Sequence, residues 1–198
     1  MTDQTKLEPD VVIIPKRSYE IKQYQDEMEK GCFDNLDKFI LISKPSSLNF
    51  ALEMVASFGH IDLVKKLINV GADVSAANYA AVRAATVSGY LDVIKYFMES
   101  GSITNTLCDE LLVIATENNR IDIIKYILFE NNFGHNLANI HYEYDLPLRT
   151  AIMQENLDII KLLLNHGADP TSLNNYPKIL AKNTNNQAII DLICGLEI

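Results

Sequence analysis

Long apolar runs are missing from the start of this 198-residue sequence. Between Met1 and Glu20 the longest is Val11 to Ile14, closed by Pro15. That falls far short of the ~20 residues of a membrane span, or of a secretory core, so a secreted or membrane-anchored start is not expected. Positive charge is also scarce. There are 26 acidic and 17 basic residues, a formal net charge of -9, and no basic stripe. A nucleic-acid partner, held mainly by phosphate neutralisation, and an anionic membrane surface are both argued against. Cysteines are few, odd in number and far apart: Cys32, Cys108 and Cys194. No pair has metal-ligand spacing, and the three read as small buried hydrophobes in a reducing compartment. Glycine is not gathered into a phosphate-binding loop, and no serine sits in a strand-turn-helix elbow. The chain does have 48% hydrophobic residues, enough for a sizeable core and too many for a disordered protein.

What is present is a repeat. Gly59-His60-Ile61-Asp62-Leu63-Val64-Lys65 is echoed by Gly89-Tyr90-Leu91-Asp92-Val93-Ile94-Lys95. It returns as Asn119-Arg120-Ile121-Asp122-Ile123-Ile124-Lys125 and as Glu155-Asn156-Leu157-Asp158-Ile159-Ile160-Lys161. The shared pattern is apolar-Asp-apolar-apolar-Lys, with aspartates spaced by 30, 30 and 36 residues. Weaker copies surround Asp34 and Asp191. Self-similarity at such a period marks a solenoid of stacked units.

Each unit has one physical layout. A short first helix, such as Ala81 to Val87, carries small Ala84 and Ala85, which allow close helix approach. Gly89 supplies the left-handed residue that ends it. A second helix, Leu91 to Glu99, places Leu91, Val93, Ile94, Phe97 and Met98 at helical spacing. Asp92 lies in its first turn, where the helix dipole favours an anion, and Lys95 is in reach to pair with it. Gly71, Gly101 and Gly167 stop the second helices. The reading gives about six units: four regular and two caps, at about 19–42 and 177–193. The last cap has Lys182 to Gln187 between its helices. Residues 1–18 read as a flexible tail, in which a linear binding motif stays open, and 19–198 as a single domain.

Leu146-Pro147-Leu148-Arg149-Thr150-Ala151 resembles the opening motif of the ankyrin repeat family, and Leu162 to Asp169 resembles its ending. The resemblance implies an all-α helix-turn-helix solenoid. Two units depart from it by running at 30 residues rather than the family's 33. The loss falls between Asp73 and Ala81, where the family places a β-hairpin finger, so stunted fingers are expected. This shorter form, with Arg at the family's His position, resembles ankyrin proteins encoded by giant DNA viruses of amoebae.

Chemistry is nearly absent from the pattern. Asp62, Asp92, Asp122 and Asp158 recur once per unit, whereas a catalytic pair would be one special pair. His60 and His166 sit at unit junctions and read as structural. His135 and His141 flank an irregular segment without a completing ligand set. No catalytic residue, cofactor or metal is expected, and the chain is not expected to be an enzyme.

A binding surface is expected instead. The resemblance implies a concave face built from the fingers and the outer side of the first helices. Carried onto this sequence, its candidates are Glu53, Phe58, Arg83, Glu117, Arg149 and Met153, with Val113 among the flanking positions. For Phe58 a partner anchor and packing between units stand as equals. The 36-residue interval suggests a long finger at 130–146 carrying Phe133, Tyr142 and Tyr144. It reads either as a specificity element or as a hairpin packed back on its unit.

The expected function is a scaffold, adaptor or inhibitor that binds a host or cellular protein. The expected state is a monomer, placed in the cytoplasm, or the host cytoplasm for a viral source. The alternatives are a structural or self-assembling component of a viral particle, and a substrate adaptor for a degradation machinery. The latter would have to be recruited in trans, since the chain stops at Ile198.

Overall fold

The computed structural model describes residues 16–129 and 137–195. Twelve helices fill them, and no strand occurs among the described residues. They form six antiparallel pairs: α1 Lys16–Glu29 with α2 Leu36–Ile42, α3 Pro45–Ser57 with α4 Ile61–Asn69, and α5 Ala76–Ser88 with α6 Leu91–Glu99. Then follow α7 Asn105–Glu117 with α8 Ile121–Leu128, α9 Tyr142–Met153 with α10 Leu157–Asn165, and α11 Ser172–Asn183 with α12 Gln187–Cys194. The helices α3, α5, α7, α9 and α11 pack side by side in one row, and α4, α6 and α8 stack in another.

The reason is in the side chains. Second helices send Val64 and Leu67, then Val93, Ile94 and Phe97, then Ile123, Ile124 and Ile127, into the gap between rows, each at most 1% exposed. Full burial of one such side chain stabilises by roughly 1.5–3 kcal/mol. First helices place Ala85, Ala115, Ala151 and Ala181 at one register, all fully buried, so adjacent backbones approach closely. Two threonines are buried at the next position. Thr86 Oγ1 donates to the Val82 carbonyl at 2.9 Å and Thr116 Oγ1 to that of Leu112 at 2.8 Å, so neither hydroxyl is orphaned.

Each pair is closed by a left-handed residue: Gly31, Gly59, Gly89, Asn119, Glu155 and Asn185, with φ between 53° and 91°. In the first five pairs the amide that follows bonds back into the first helix, as in Tyr90 N to Ala85 O at 3.1 Å and Arg120 N to Ala115 O at 2.8 Å. This is the helix-ending motif that satisfies otherwise orphaned carbonyls.

Several boundaries differ from the sequence reading. The first helix of the third unit was expected at Ala81 to Val87, but α5 begins at Ala76. Its start contains a left-handed turn, Ala77, Asn78 and Tyr79 with φ of 50°, 56° and 59°. The same turn opens α9 at Glu143, Tyr144 and Asp145, and α11 at Leu173, Asn174 and Asn175. No β-hairpin precedes these helices among the described residues; the turn stands where a finger was expected to be stunted. The last unit therefore begins at Ser172 rather than near Pro177, and Lys182 and Asn183 belong to α11. Residues 16–18, placed in the tail, lie in α1, because nothing from Lys16 to Glu29 breaks a helix. Val11 to Ile14 lie outside the described residues.

The expected Asp92–Lys95 pair is not formed. Lys95 Nζ instead sits 5.3 Å from the Tyr126 ring centroid in the next unit, and Lys65 Nζ 5.6 Å from that of Tyr96. Stacking of the units brings an aromatic face within cation–π range of each lysine. Of the cysteines only Cys108 is buried; Cys32 is exposed and Cys194 half-buried, and all three are free thiols.

Candidate protein-binding surface

On the first helices the buried faces are 51, 52, 55 and 56 in α3 and their equivalents further on. The opposite side passes through 53 and 57, then 83 and 87, 113 and 117, 149 and 153, and 179 and 183. This row is the available face, and its register sets which candidates reach solvent.

Arg83 and Arg149 do not stand free on it. Arg83 Nε donates to the Asn78 carbonyl at 2.9 Å, and its Nη2 pairs with Glu110 on α7. Arg149 Nη2 donates to the Glu143 carbonyl at 2.6 Å, and its guanidinium lies 6.0 Å from the Tyr176 ring of the next unit. Both arginines clip the left-handed turn that opens their own helix. That conformation points carbonyls away from the normal helical ladder, and a planar, multi-donor cation satisfies them.

The other candidates divide. Phe58 packs edge-on to Phe33 with centroids 5.7 Å apart, over Gly31, where a Cβ would come within 2.8 Å of its ring. It is a packing residue of the first two units, still 39% exposed. Glu53 is half-buried and Glu117 exposed, while Val113 is buried. Met153 and Tyr144 are each 69% exposed, and Tyr142 is half-buried. Phe133 lies outside the described residues. Sequence reasoning missed Leu173, Tyr176 and Ile179 on α11, exposed at 44%, 39% and 50%. Their signal was register: Tyr176 and Ile179 fall at the positions of Leu146 and Arg149 once α11 is started at Ser172.

The expected long finger is redistributed. Asn139 N donates to Asp109 Oδ1 on α7 at 2.6 Å. In the same way Asp73 N donates to Asn49 Oδ1 on α3 at 2.8 Å, and Asp169 N to Asp145 Oδ1 on α9 at 2.8 Å. Residues 137–145 therefore repeat the entry of an ordinary unit, with Leu137, Ala138 and Ile140 buried. The extra length falls on 130–136, after α8 and outside the described residues.

Around this entry the carboxylates are paired, while the buried Arg149 Nε has no hydrogen-bond partner among the described residues. Asp145, 3% exposed, also takes His141 Nδ1 at 2.9 Å. Asp169 Oδ1 accepts the Thr171 hydroxyl at 2.6 Å and amide at 2.7 Å, which hold its carboxyl below the usual aspartate range, with His141 and Lys178 adding to the effect. The junction histidines act by ring contacts: His60 packs edge-on to Phe33 with centroids 4.9 Å apart, and His166 stacks on Phe129 at 4.0 Å. His135 lies outside the described residues. No group of three or more His, Cys, Asp or Glu able to hold a metal occurs among the described residues. None of their helices is long and apolar enough to cross a membrane.

A family model described as Ankyrin repeats (3 copies) matches residues 52–139 and, overlapping, 83–174. Together these span more than half of the chain. The chain belongs to the ankyrin-repeat family. A search of curated proteins found no match. Ankyrin repeats generally mediate protein-protein interaction and are typically non-enzymatic. Within the family pattern, Arg83 and Arg149 stand at the position of the opening motif's histidine, and here they clip the turn.

Proposed function

We propose that this ankyrin-repeat chain is a non-enzymatic binding module, a scaffold, adaptor or inhibitor, whose protein partner lies along the outward face of the first helices. The observation that carries this reading is the run of exposed apolar side chains on α9 and α11: Tyr144, Met153, Tyr176 and Ile179. They are joined across the unit boundary by the Arg149–Tyr176 contact. Aromatic, methionine and arginine residues together are what interface cores are enriched in. Glu53, Glu117 and Tyr142 are assigned to the polar rim, and Phe133 to an accessory contact from the lengthened junction.

The test is capture from cell lysate with the wild-type chain and with a Met153→Asp, Ile179→Asp double variant. Both positions are at least half exposed, so folding is expected to survive. Loss of the captured protein with an unchanged circular dichroism spectrum supports the reading; undiminished capture overturns it. The arginines are poor probes, since Arg149→Ala releases the α9 turn.

A second reading is self-assembly. Tyr176 and Ile179 belong to the last described unit, at register positions that the inner units leave only half-exposed or buried. A second copy stacked on α11 and α12 would cover them. Light scattering at micromolar concentration separates the two: a monomer supports the module and a defined oligomer supports assembly. The 30-residue spacing and the arginine substitution extend the first reading to a host-cell cytoplasmic partner of a viral protein, engaged directly or as a substrate presented to a degradation machinery. Mass spectrometry of protein captured from amoebal lysate tests that setting.

A further inference from the structure

A cavity of about 310 Å³ lies away from the α9–α11 strip, between α3 and the left-handed entry of α5. Its origin is legible residue by residue. At the register that carries Phe50, Glu110, Leu146 and Tyr176 in other units, α5 has Ala80. The missing side chain leaves a floor of Ala77 and Ala80. Phe50 forms one wall. Glu53 stands at the rim, half-buried, with no hydrogen-bonding or ionic partner among the described residues. Asp73 also lines the cavity. Only its Oδ1 is engaged, by the Ser75 amide at 2.9 Å and hydroxyl at 2.7 Å. No lysine or arginine lines the cavity. Arg83, one turn beyond Ala80, is committed to Asn78 and Glu110.

Two carboxylates, an aromatic wall and an apolar floor make one combined demand. The carboxylates favour a cation. The floor favours a methylene stem over a hydrated headgroup. The ring favours a flat, weakly hydrated charge that stacks, which describes a guanidinium better than an ammonium. The volume is at the lower end for ligand sites, suited to one side chain rather than a folded element. We propose that this groove is the docking pocket for an arginine side chain of the partner protein. Its methylenes lie on Ala77 and Ala80, and its guanidinium lies against Phe50 and between Glu53 and Asp73. This rests on the binding-module reading and supplies one chemical feature of the partner.

The test uses the full chain, labelled with ¹⁵N, and three capped tripeptides, Gly-X-Gly, with X arginine, lysine or citrulline. Citrulline keeps the shape of arginine and removes its charge. The arginine peptide is expected to shift the amides of 46–53 and 73–81, with millimolar affinity. The lysine peptide is expected to bind at least threefold more weakly, and the citrulline peptide not to bind. Glu53→Gln should weaken the arginine peptide at least fivefold. Ala80→Phe, which restores the aromatic found at Phe50 and Tyr176, should abolish binding. No shift at these amides, equal binding of citrulline or lysine, or full binding by Glu53→Gln overturns the proposal. Should Ala80→Phe fail to fold, the isosteric Glu53→Gln variant and the three peptides still decide it. Capture of a partner through Met153 and Ile179, with no peptide shift, sinks the pocket alone; a specific shift with no captured partner sinks the module reading alone.

Discussion

At the scale of single residues, the unit junctions show two solutions to one steric problem. Ahead of α6, α8, α10 and α12 the residue before the second helix leans on the left-handed residue of the preceding unit. Where that residue is glycine the partner is large. A Cβ on Gly59 would fall 2.3 Å from the Tyr90 ring, and one on Gly89 2.9 Å from Arg120 Cδ. Where it carries a side chain the partner is small and polar: Asn156 Nδ2 donates to Asn119 Oδ1 at 2.8 Å, and Asn186 Nδ2 to Glu155 Oε2 at 3.2 Å. Gly59→Ala should therefore destabilise by about 2–4 kcal/mol, combining left-handed strain with overpacking. Adding Tyr90→Ala should relieve only the overpacking part, as a double-mutant cycle in urea would show. Glu155, left-handed at φ 53°, should gain about 0.5–1 kcal/mol on change to Gly, because the strain it sheds outweighs an exposed hydrogen bond. Thiol labelling should also discriminate by site. Burial and the adjacent Asp109 push the Cys108 thiol up to about 11, so at pH 8 it should stay unmodified while exposed Cys32 reacts. Simultaneous labelling of both under native conditions would contradict this.

At the scale of elements, second helices were legible and the entries to first helices were not. α6 occupies Leu91–Glu99 as expected, because an apolar period of 3.6 with a first-turn aspartate and a terminal glycine leaves one reading. The left-handed turns carry no such signature. Ala77-Asn78-Tyr79 and Leu173-Asn174-Asn175 share only a middle asparagine, which Glu143-Tyr144-Asp145 lacks, and Ala, Tyr and Leu all disfavour the conformation intrinsically. Side-chain bonds hold it in α5 and α9: the arginine clips within each helix, and Asp145 reaching the Asp169 amide of the next unit. Asp145→Ala should cost about 1–3 kcal/mol, since it leaves that amide without its partner. The same entry sets an acid limit. Asp169 has a folded value below its unfolded one, so its contribution is present above the ordinary aspartate value, about 3.9. It is lost as pH falls through the depressed folded value. Asp169→Asn should flatten the stability profile below about pH 4 in acid titration followed by circular dichroism.

At the scale of the whole molecule, stability is a sum of units and the interfaces between neighbours. The interfaces are unequal. Asn49, Asp109 and Asp145 each accept an amide from the following unit, but the same register on α5 holds Tyr79, which has no carboxamide or carboxylate to offer. From α3 to α11, α5 and α7 also share the thinnest contact between neighbouring first helices, and only α1 and α3 share a thinner one. Among the inner joints, opening should begin there. Native-state hydrogen exchange is expected to show the Ile103 amide exchanging faster than those of Asp73, Asn139 and Asp169; equal protection at all four would count against a weak joint. The candidate surface was legible to a similar, partial degree. Met153 and Tyr144 reach solvent, but Arg83 and Arg149 are spent on their own turns, and the α11 residues were hidden by starting that helix too late.

By itself the sequence determined the repeat, the six-unit count, the second helices and the family. These depend on short-range periodicity and on glycines whose reason is local. The tertiary structure alone decided which side chains are free to bind. Whether an arginine faces a partner or its own backbone, and whether an alanine leaves a groove, depends on what the neighbouring unit places within a few ångströms. That is a matter of stacking register, which no single unit encodes.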